Sequence, residues 1–411
     1  MAGIEQETRL LRKKLADRYE FGIEDETYAA PSRKVAPRRL QLNRSELRPQ
    51  LFDYQAELAS SATELLLNGE RGLLALPTGA GKTRTAVVAA FQFLVERGTS
   101  VGWLSPTREL VNQAFETATS LWSQFGTLES IDLVEGATPS VRDGVPTIWF
   151  TTPQAIYANR SSLVVNRKCD AVVFDEAHQL GAPTFREAVE DLVGDSGTVG
   201  LLGLSATPGR YSELETEELV RLFDRTLLHS QLLKPNPVEV LQRWGVLSRL
   251  TFRQIPGSIA PSEESRIPQV VDLCIKLAER NRRTLVFSGS VAGAIVTAEA
   301  LRSRGVESQA VYSELGTEER DSRIAKFGSG ISSVLVNQRL LATGYDCPAV
   351  SDVVLASRVG SPVLFEQMVG RAARGPKTGG GSKATVWQFE DHLALHGLPQ
   401  SYYRYRDFDW V

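Results

Sequence analysis

Leu73-Leu-Ala-Leu-Pro-Thr-Gly-Ala-Gly-Lys-Thr83 decides the fold: a short apolar run, a turn holding two glycines, then lysine and threonine opening a segment of helical period, Arg84–Glu96. A strand, tight loop and helix in that order turn successive backbone N–H groups, and the positive end of a helix, toward an anion. Gly79 and Gly81 let the backbone approach it, and Pro77, Thr78 and Ala80 complete the loop. Lys82 is placed to neutralise the β- and γ-phosphates of a nucleotide, and the Thr83 hydroxyl to hold Mg²⁺. A chance glycine turn is the bland alternative, and Lys-Thr at the head of a helix argues against it. The general pattern asks for glycine where this chain has Leu76, so its strict form is missed by one residue.

Outward from this loop the same alternation continues. Candidate strands are Leu73–Leu76, Val101–Leu104, Ile131–Val134, Thr147–Phe150, Ala171–Phe174 and Gly200–Leu204, and Glu109–Ser123 is another stretch of helical period between them. Continuous apolar strands separated by helices predict a parallel sheet covered on both faces, with ligands at the carboxyl ends of the strands. The pattern pauses at the Pro/Gly/Ser-rich IPGSIAPSEESRIP (255–268). It resumes with a helix at Val270–Glu279 and strands Thr284–Phe287, Ser308–Val311, Ser333–Val336, Asp352–Leu355 and Thr385–Gln388. The expected fold is therefore α/β, with a charged extension over 1–47, a nucleotide-binding domain over 48–250 and a second domain over 251–411. The extension, with a charged helical stretch at Gln6–Glu20 and the segment PSRKVAPRRL (31–40), is expected to pack on the first domain; a basic arm for nucleic acid or a partner is the alternative. Gly375–Lys383 reads as a mobile surface loop.

Composition bounds these readings. The chain has 411 residues, 42% hydrophobic and 23% charged, enough for two packed cores. No apolar run approaches the roughly 20 residues that span a bilayer, and the charged amino terminus does not read as a secretory signal. Cys169, Cys274 and Cys347 are far apart, which argues against a disulfide framework or zinc site and for a cytoplasmic location. A net charge of −3 neither supports nor refutes a nucleic-acid partner, because affinity comes from the few phosphates touched.

A second site element follows the apolar strand CDAVVF: Asp175-Glu176-Ala177-His178. Beside a phosphate loop, the aspartate is placed to hold Mg²⁺ and the glutamate to orient and deprotonate the attacking water. Acidic residues at strand ends are also common helix caps, so the pairing with the loop carries the reading.

With these residues on the page, the chain resembles the superfamily 2 helicases of the DExH (DEAH-box) type over about residues 48–375. Arg48-Pro49 and Tyr54-Gln55 look like the adenine-recognition element, with Arg48 and Gln55 at the nucleotide. Pro77–Thr83 matches the helicase form of the loop, which needs no glycine at 76. Leu104–Leu110 and Thr151–Gln154 resemble the strand-contacting motifs, and Asp175–His178 is the DEAH box. Ser205-Ala-Thr207, with His178, is similar to the motif that couples hydrolysis to movement. Val286–Gly289, Thr343–Pro348 and Gln367-Met-Val-Gly-Arg371-Ala-Ala-Arg374 resemble the fourth, fifth and sixth motifs. NPVEVLQRWGVL (236–247) and the run after Arg374 suggest the restriction-subunit and RadD-like branch.

The resemblance implies tandem RecA-like domains and an ATP- and Mg²⁺-dependent helicase or translocase acting on nucleic acid, DNA before RNA. Lys82, Asp175, Glu176, Arg371 and Arg374 would be catalytic, with Thr83 and Asp175 on the metal. Gly344 and Asp346 would touch the nucleotide, although a plain turn explains them too. Arg371 and Arg374, three apart and read as one helix face, would meet transition-state charge on the γ-phosphoryl group from the second domain when a cleft closes; a salt-bridged surface helix is the alternative. Thr107, Arg108, Thr152 and Ser288 would contact backbone phosphates, and the two threonines serve equally as helix caps. A rival reading is a nucleic-acid-triggered ATPase switch in a defence or repair complex, with a protein partner supplying nuclease or specificity. His392 and His396 read as incidental, and Tyr402, Tyr403, Tyr405, Phe408 and Trp410 as a tail docked on its own domain, with base stacking the alternative.

Overall fold

The structure is a computed structural model that describes residues 2–21, 38–43, 50–97, 100–122, 130–136, 144–159, 169–193, 198–209, 213–256, 262–342, 347, 349–390 and 410. The chain divides into two compact units, one of Ala36–Val240 and Gln400–Val411, the other of Met1–Val35 and Leu241–Pro399.

In the first unit, strands β1 (Arg38–Asn43), β2 (Arg71–Ala75), β3 (Ser100–Leu104), β4 (Ser130–Glu135), β5 (Thr147–Thr151), β6 (Ala171–Phe174), β7 (Gly200–Ser205) and β8 (Leu227–Leu228) form one sheet in the order β1-β4-β5-β3-β6-β7-β2-β8. All neighbours are parallel except β1, which runs antiparallel to β4. Strands β3 and β5 to β7 are buried along their whole length, the signature of a sheet covered on both faces. Helices α2 (Asp53–Leu67), α3 (Lys82–Arg97), α4 (Arg108–Trp122), α5 (Pro153–Ala158), α6 (Pro183–Val193) and α7 (Glu213–Leu222) accompany it, and α8 (Pro237–Arg243) leads into the second unit.

The second unit holds β9 (Arg249–Gln254), β10 (Thr284–Phe287), β11 (Ser308–Val311), β12 (Val334–Asn337), β13 (Asp352–Leu355) and β14 (Lys383–Gln388), in the order β11-β12-β10-β13-β14-β9, every pair parallel. Its helices are α9 (Glu263–Ala278), α10 (Val291–Arg302), α11 (Thr317–Ser329) and α12 (Pro362–Gly370). The expected α/β class with two parallel sheets is met.

Several expectations are corrected. The N-terminal helix, here α1 (Ala2–Leu15), belongs to the second unit, not the first. Ile4, Leu11, Leu15 and Tyr19 recur at helical spacing and join the core beneath α9 and α10. Arg12 pairs with the nearly buried Glu299, Lys14 with Glu264 at 2.5 Å and Arg18 with Asp272 at 2.6 Å. The basic segment ends in edge strand β1, where Arg38 pairs with Glu135 and Arg39 with the fully buried Asp132. Those two arginines are therefore committed to the sheet rather than to a nucleic-acid arm.

The second unit also starts at Leu241 rather than 251, because β9 adds a strand to its sheet. Residues 262–268, read as linker, already belong to α9: Ser262 caps the Ser265 N–H at 3.3 Å, and Pro268 sits inside the helix. Gly375–Lys383 is not a loose loop. It is stitched by Lys377 N–H to the Gly245 carbonyl and Gly380 N–H to the Gly375 carbonyl, both 2.9 Å. Trp410 packs against the core of the first unit, not of the second as expected for the tail; the other four tail aromatics and His392 and His396 lie outside the described residues. Among the described residues no helix is long and apolar enough to cross a membrane, and the three cysteines are free and buried.

Candidate functional site

Strand order gathers the motifs of the first unit. The phosphate loop leaves β2, the acidic motif leaves β6, and β7, ending in Ser205, lies between them. The Leu76 N–H donates to the Ser205 carbonyl at 3.3 Å, and the Asp175 N–H to the Leu104 carbonyl at 2.8 Å. Segments distant in sequence thus meet at the carboxyl ends of adjacent strands, where parallel sheets bind ligands.

The loop itself is set by backbone conformation. Gly79 and Gly81 both have φ +87°, a region side chains disfavour. A Cβ on Gly81 would also lie 2.3 Å from Gln55 Nε2. Gln55 is 3% exposed; its Nε2 donates to the Ala80 carbonyl at 3.1 Å and its Oε1 accepts the Phe52 N–H at 3.1 Å. The Tyr54 hydroxyl donates to the same carbonyl at 2.8 Å, a support the motif reading assigned no role. Lys82 is the first residue of α3, followed by Thr83, with Thr85 Oγ1 donating to the Gly81 carbonyl at 3.0 Å. Successive amides and a helix start therefore face one place, and the glycine cradle suits a polyphosphate.

Asp175 is 3% exposed and Glu176 7%. Burial, then the neighbouring Glu176 charge, push the Asp175 carboxyl up to about 7 against the opposing pull of Lys82. Two buried adjacent acids with one lysine acting on them form a place for a cation. Glu176 Oε2 is buried and accepts no hydrogen bond among the described residues, with His178 Nδ1 3.3 Å away. The buried acid pair fits the chemistry of a Mg²⁺ site, and Thr83 follows Lys82 at the start of α3. Glu176 sits in the left-handed region at φ 52°, a strain of order 1 kcal/mol.

His178, Ser205 and Thr207 are brought together. Ser205 Oγ donates to the Thr207 carbonyl at 2.6 Å and accepts the Thr207 N–H at 3.1 Å. His178 Nδ1 lies 3.4 Å from Ser205 Oγ and 3.3 Å from Glu176 Oε2, which ties the acidic motif to the Ser205–Thr207 segment. Thr207 Oγ1, Ser105 Oγ and Thr151 Oγ1 are buried at the same strand ends without a hydrogen-bond partner among the described residues.

Thr107 and Thr152 act as helix caps, accepting from the Leu110 N–H at 3.4 Å and the Ala155 N–H at 3.3 Å, and Arg108 opens α4 exposed. In the second unit Ser288 Oγ donates to Glu263 Oε1 at 3.0 Å, a partner no motif signalled. Arg371 and Arg374 do not share a helix face. Helix α12 stops at Gly370, with Arg371 as its C-cap and its Nε donating to the Gln367 carbonyl at 3.3 Å. Turn bonds of the i→i+3 type carry on to the Ala373 N–H, and past it Leu247 and Arg374 form an antiparallel bridge, the Ser248 N–H donates to the Ala373 carbonyl, and the Gly375 N–H to the Val246 carbonyl, both 2.9 Å. Arg48, Gly344 and Asp346 lie outside the described residues.

With the geometry in place, comparisons with known proteins add the following. Residues 56–214 match the DEAD/DEAH box helicase family and residues 265–376 the helicase conserved C-terminal domain. The chain is 26% identical over 326 residues to the ATP-dependent RNA helicase DDX54 of Mus musculus, covering 77% of this chain and 35% of that protein. It is 24% identical over 384 residues to the type I restriction enzyme EcoKI endonuclease subunit of Escherichia coli, covering 78% and 33%. It therefore spans about a third of the length of these two curated relatives. Among solved structures, S. cerevisiae Dbp5 bound to RNA and ADP BeF3 aligns with a TM-score of 0.59 at 20% identity, over 84% of each chain.

Proposed function

The chain belongs to the superfamily 2 helicases that join a DEAD/DEAH box helicase domain to a helicase conserved C-terminal domain, and from that premise we propose that it hydrolyses ATP to drive movement along, or remodelling of, nucleic acid. The observation that carries this reading is the convergence of the Gly79–Thr83 loop, Asp175-Glu176 and Ser205–Thr207 at neighbouring strand ends of one sheet.

In this reading the loop amides and Lys82 bind the phosphates, and Gln55, already holding the loop, stands beside the base. Thr83 and Asp175 would hold Mg²⁺, which would supply charge neutralisation to the phosphates. Glu176 orients the attacking water and takes its proton. Arg371 and Arg374 carry the transition-state charge role, and Thr107, Arg108, Thr152 and Ser288 the backbone-phosphate contacts, which hold a strand without reading its sequence. Cap geometry at Thr107 and Thr152 is compatible with that role, since it leaves helix amides at their first turns.

His178, where a DEAD box has aspartate, supports the DExH branch; the restriction-subunit relative supports a DNA track, and the RNA helicase relative DDX54 supports an RNA one. A partner chain supplying nuclease or specificity fits the same branch. The test is ATP turnover across single- and double-stranded DNA and RNA, with Lys82→Ala as the blank, beside a strand-displacement assay. Turnover indifferent to every nucleic acid refutes the reading; stimulation without displacement favours a switch over a helicase.

A further inference from the structure

Past Gly370, where α12 ends, the backbone around Arg374 is held from a distant stretch of the second unit. The Ser248 N–H donates to the Ala373 carbonyl at 2.9 Å. The Ser248 hydroxyl lies 2.5 Å from the Arg374 carbonyl and 2.5 Å from the Gly381 carbonyl. It has one hydrogen to donate, so the two carbonyls share it. Ser248 is 1% exposed, and its own carbonyl accepts from Gln242 Nε2 on α8 at 3.1 Å. One buried serine thus clips Arg374 to the far end of the segment that follows it.

A separate observation shows how closely that segment is fitted around the arginine. A Cβ on Gly380 would lie 2.0 Å from the Arg374 carbonyl oxygen, and one on Gly375 2.4 Å from the Gly245 carbonyl oxygen. Both obstacles are backbone atoms, which cannot swing aside as a side chain would. Gly375 has φ −89°, and Gly380 does not lie in the left-handed region, so conformation requires glycine at neither place. Close approach does.

Nor does β9 need the hydroxyl in order to start. Its ladder with β14 opens with the Arg249 N–H on the Ser382 carbonyl at 3.0 Å and runs on from Arg249 opposite Lys383. An alanine at 248 keeps that ladder and its own N–H bond to Ala373. What it loses lies at Arg374 and Gly381.

We propose that Ser248 is a positioning residue for ATP hydrolysis, its hydroxyl fixing the Arg374 carbonyl and with it the direction in which the Arg374 side chain leaves the backbone. This rests on the transition-state role given to Arg374 above and deepens it, naming a residue outside every motif. The Cα–Cβ direction at 374 follows from the peptide planes on either side. Ser248 holds both: its N–H fixes the plane before Arg374, through the Ala373 carbonyl, and its hydroxyl the plane after. A guanidinium at the end of a long side chain magnifies any tilt at its root, and a misplacement of about 1 Å costs about 10²-fold in rate.

The experiment measures single-turnover and steady-state ATP hydrolysis by the full chain with saturating single-stranded DNA or RNA oligonucleotide, beside a thermal melt. The variants are Ser248→Ala, Thr378→Val, Arg374→Ala and the double Ser248→Ala, Arg374→Ala. Ser248→Ala is expected to lower kcat about 10- to 100-fold with KM for ATP unchanged, the mark of an interaction made only in the transition state. In the Arg374→Ala background the same change should cost nothing further, because the residue it positions is gone. Thr378→Val separates positioning from loosening. Its hydroxyl donates within the same segment, to the Val246 carbonyl at 3.1 Å, but to neither carbonyl that Ser248 Oγ holds; its kcat should match wild type. If Ser248→Ala does not fold, Ser248→Cys, which keeps the shape with a weaker donor, is read in its place. A folded Ser248 variant with wild-type kcat, a loss that adds in full to that of Arg374→Ala, or an equal loss in Thr378→Val overturns the proposal and makes Ser248 a clasp between β9 and the segment after α12. Arg374→Ala with normal turnover sinks the parent reading and this one together; Arg374→Ala impaired beside a normal Ser248→Ala sinks only this one.

Discussion

Gln55 and Ala80 are joined by a hydrogen bond of 3.1 Å from the Gln55 amide to the Ala80 carbonyl, between α2 and the turn that presents the phosphate-binding amides. The glutamine is 3% exposed and its other amide atom is anchored on the Phe52 N–H. A residue expected at the adenine is thus also the brace of the loop.

Removing that brace should loosen the loop more than it harms the fold. Gln55→Ala leaves a buried carbonyl short of one donor, a cost of about 1–2 kcal/mol. Steady-state kinetics should show KM for ATP rising roughly 5- to 30-fold, with the melting temperature little moved. Gly81→Ala should be worse, since φ +87° and a Cβ 2.3 Å from Gln55 Nε2 oppose it together. ATP binding that survives Gly81→Ala would mean the loop does not hold the phosphates.

Glu176→Gln keeps the shape of the side chain and removes its basicity. Loss of a positioned base costs about 10²- to 10⁴-fold, so phosphate release should fall by that factor with ATP binding retained. Lys82→Ala should abolish turnover as well, by weakening the hold on the phosphates. A Glu176→Gln enzyme with normal turnover would place the base elsewhere.

For Arg374→Ala, hydrolysis should drop about 10³-fold, the low end for a guanidinium acting on phosphoryl-transfer charge, while binding of a non-hydrolysable ATP analogue largely survives. Equal loss of both would remove its transition-state role.

Helix α1 offers a stability test. Leu15 is 6% exposed in the core of the second unit, so Leu15→Ala should cost about 2–5 kcal/mol and lower the melting temperature of the full chain. A solvated extension would register within about 0.5 kcal/mol.

Much of the fold was legible because buried parallel strands are continuous apolar runs. Ala171–Phe174, Thr284–Phe287, Ser308–Val311 and Asp352–Leu355 match their predicted bounds. The strands that escaped notice are edge strands. In β9, Arg249, Thr251, Arg253 and Gln254 are exposed, and in β1 so are Arg39, Leu40 and Gln41, so neither presents an apolar run. Pro268 hid the first turns of α9, although that position forfeits only one helical bond. The arginines of the sixth motif keep a helical spacing in sequence, yet the helix ends at Gly370, and hydrogen bonds with Val246 and Ser248 hold the chain on either side of Arg374.

By itself the sequence determined what is local: the turn that only Gly79 and Gly81 permit, the helix that Lys82 opens, and the acids that close a buried strand, because neighbours in the chain set each other's conformation. The tertiary structure decided what depends on distant partners. It sent α1 to the second unit and Arg38 and Arg39 to acids on β4, and it seated Glu263 against Ser288, 25 positions away. Long-range pairing follows from which apolar faces and charges find one another as the chain packs, and no stretch of residues read alone carries that information.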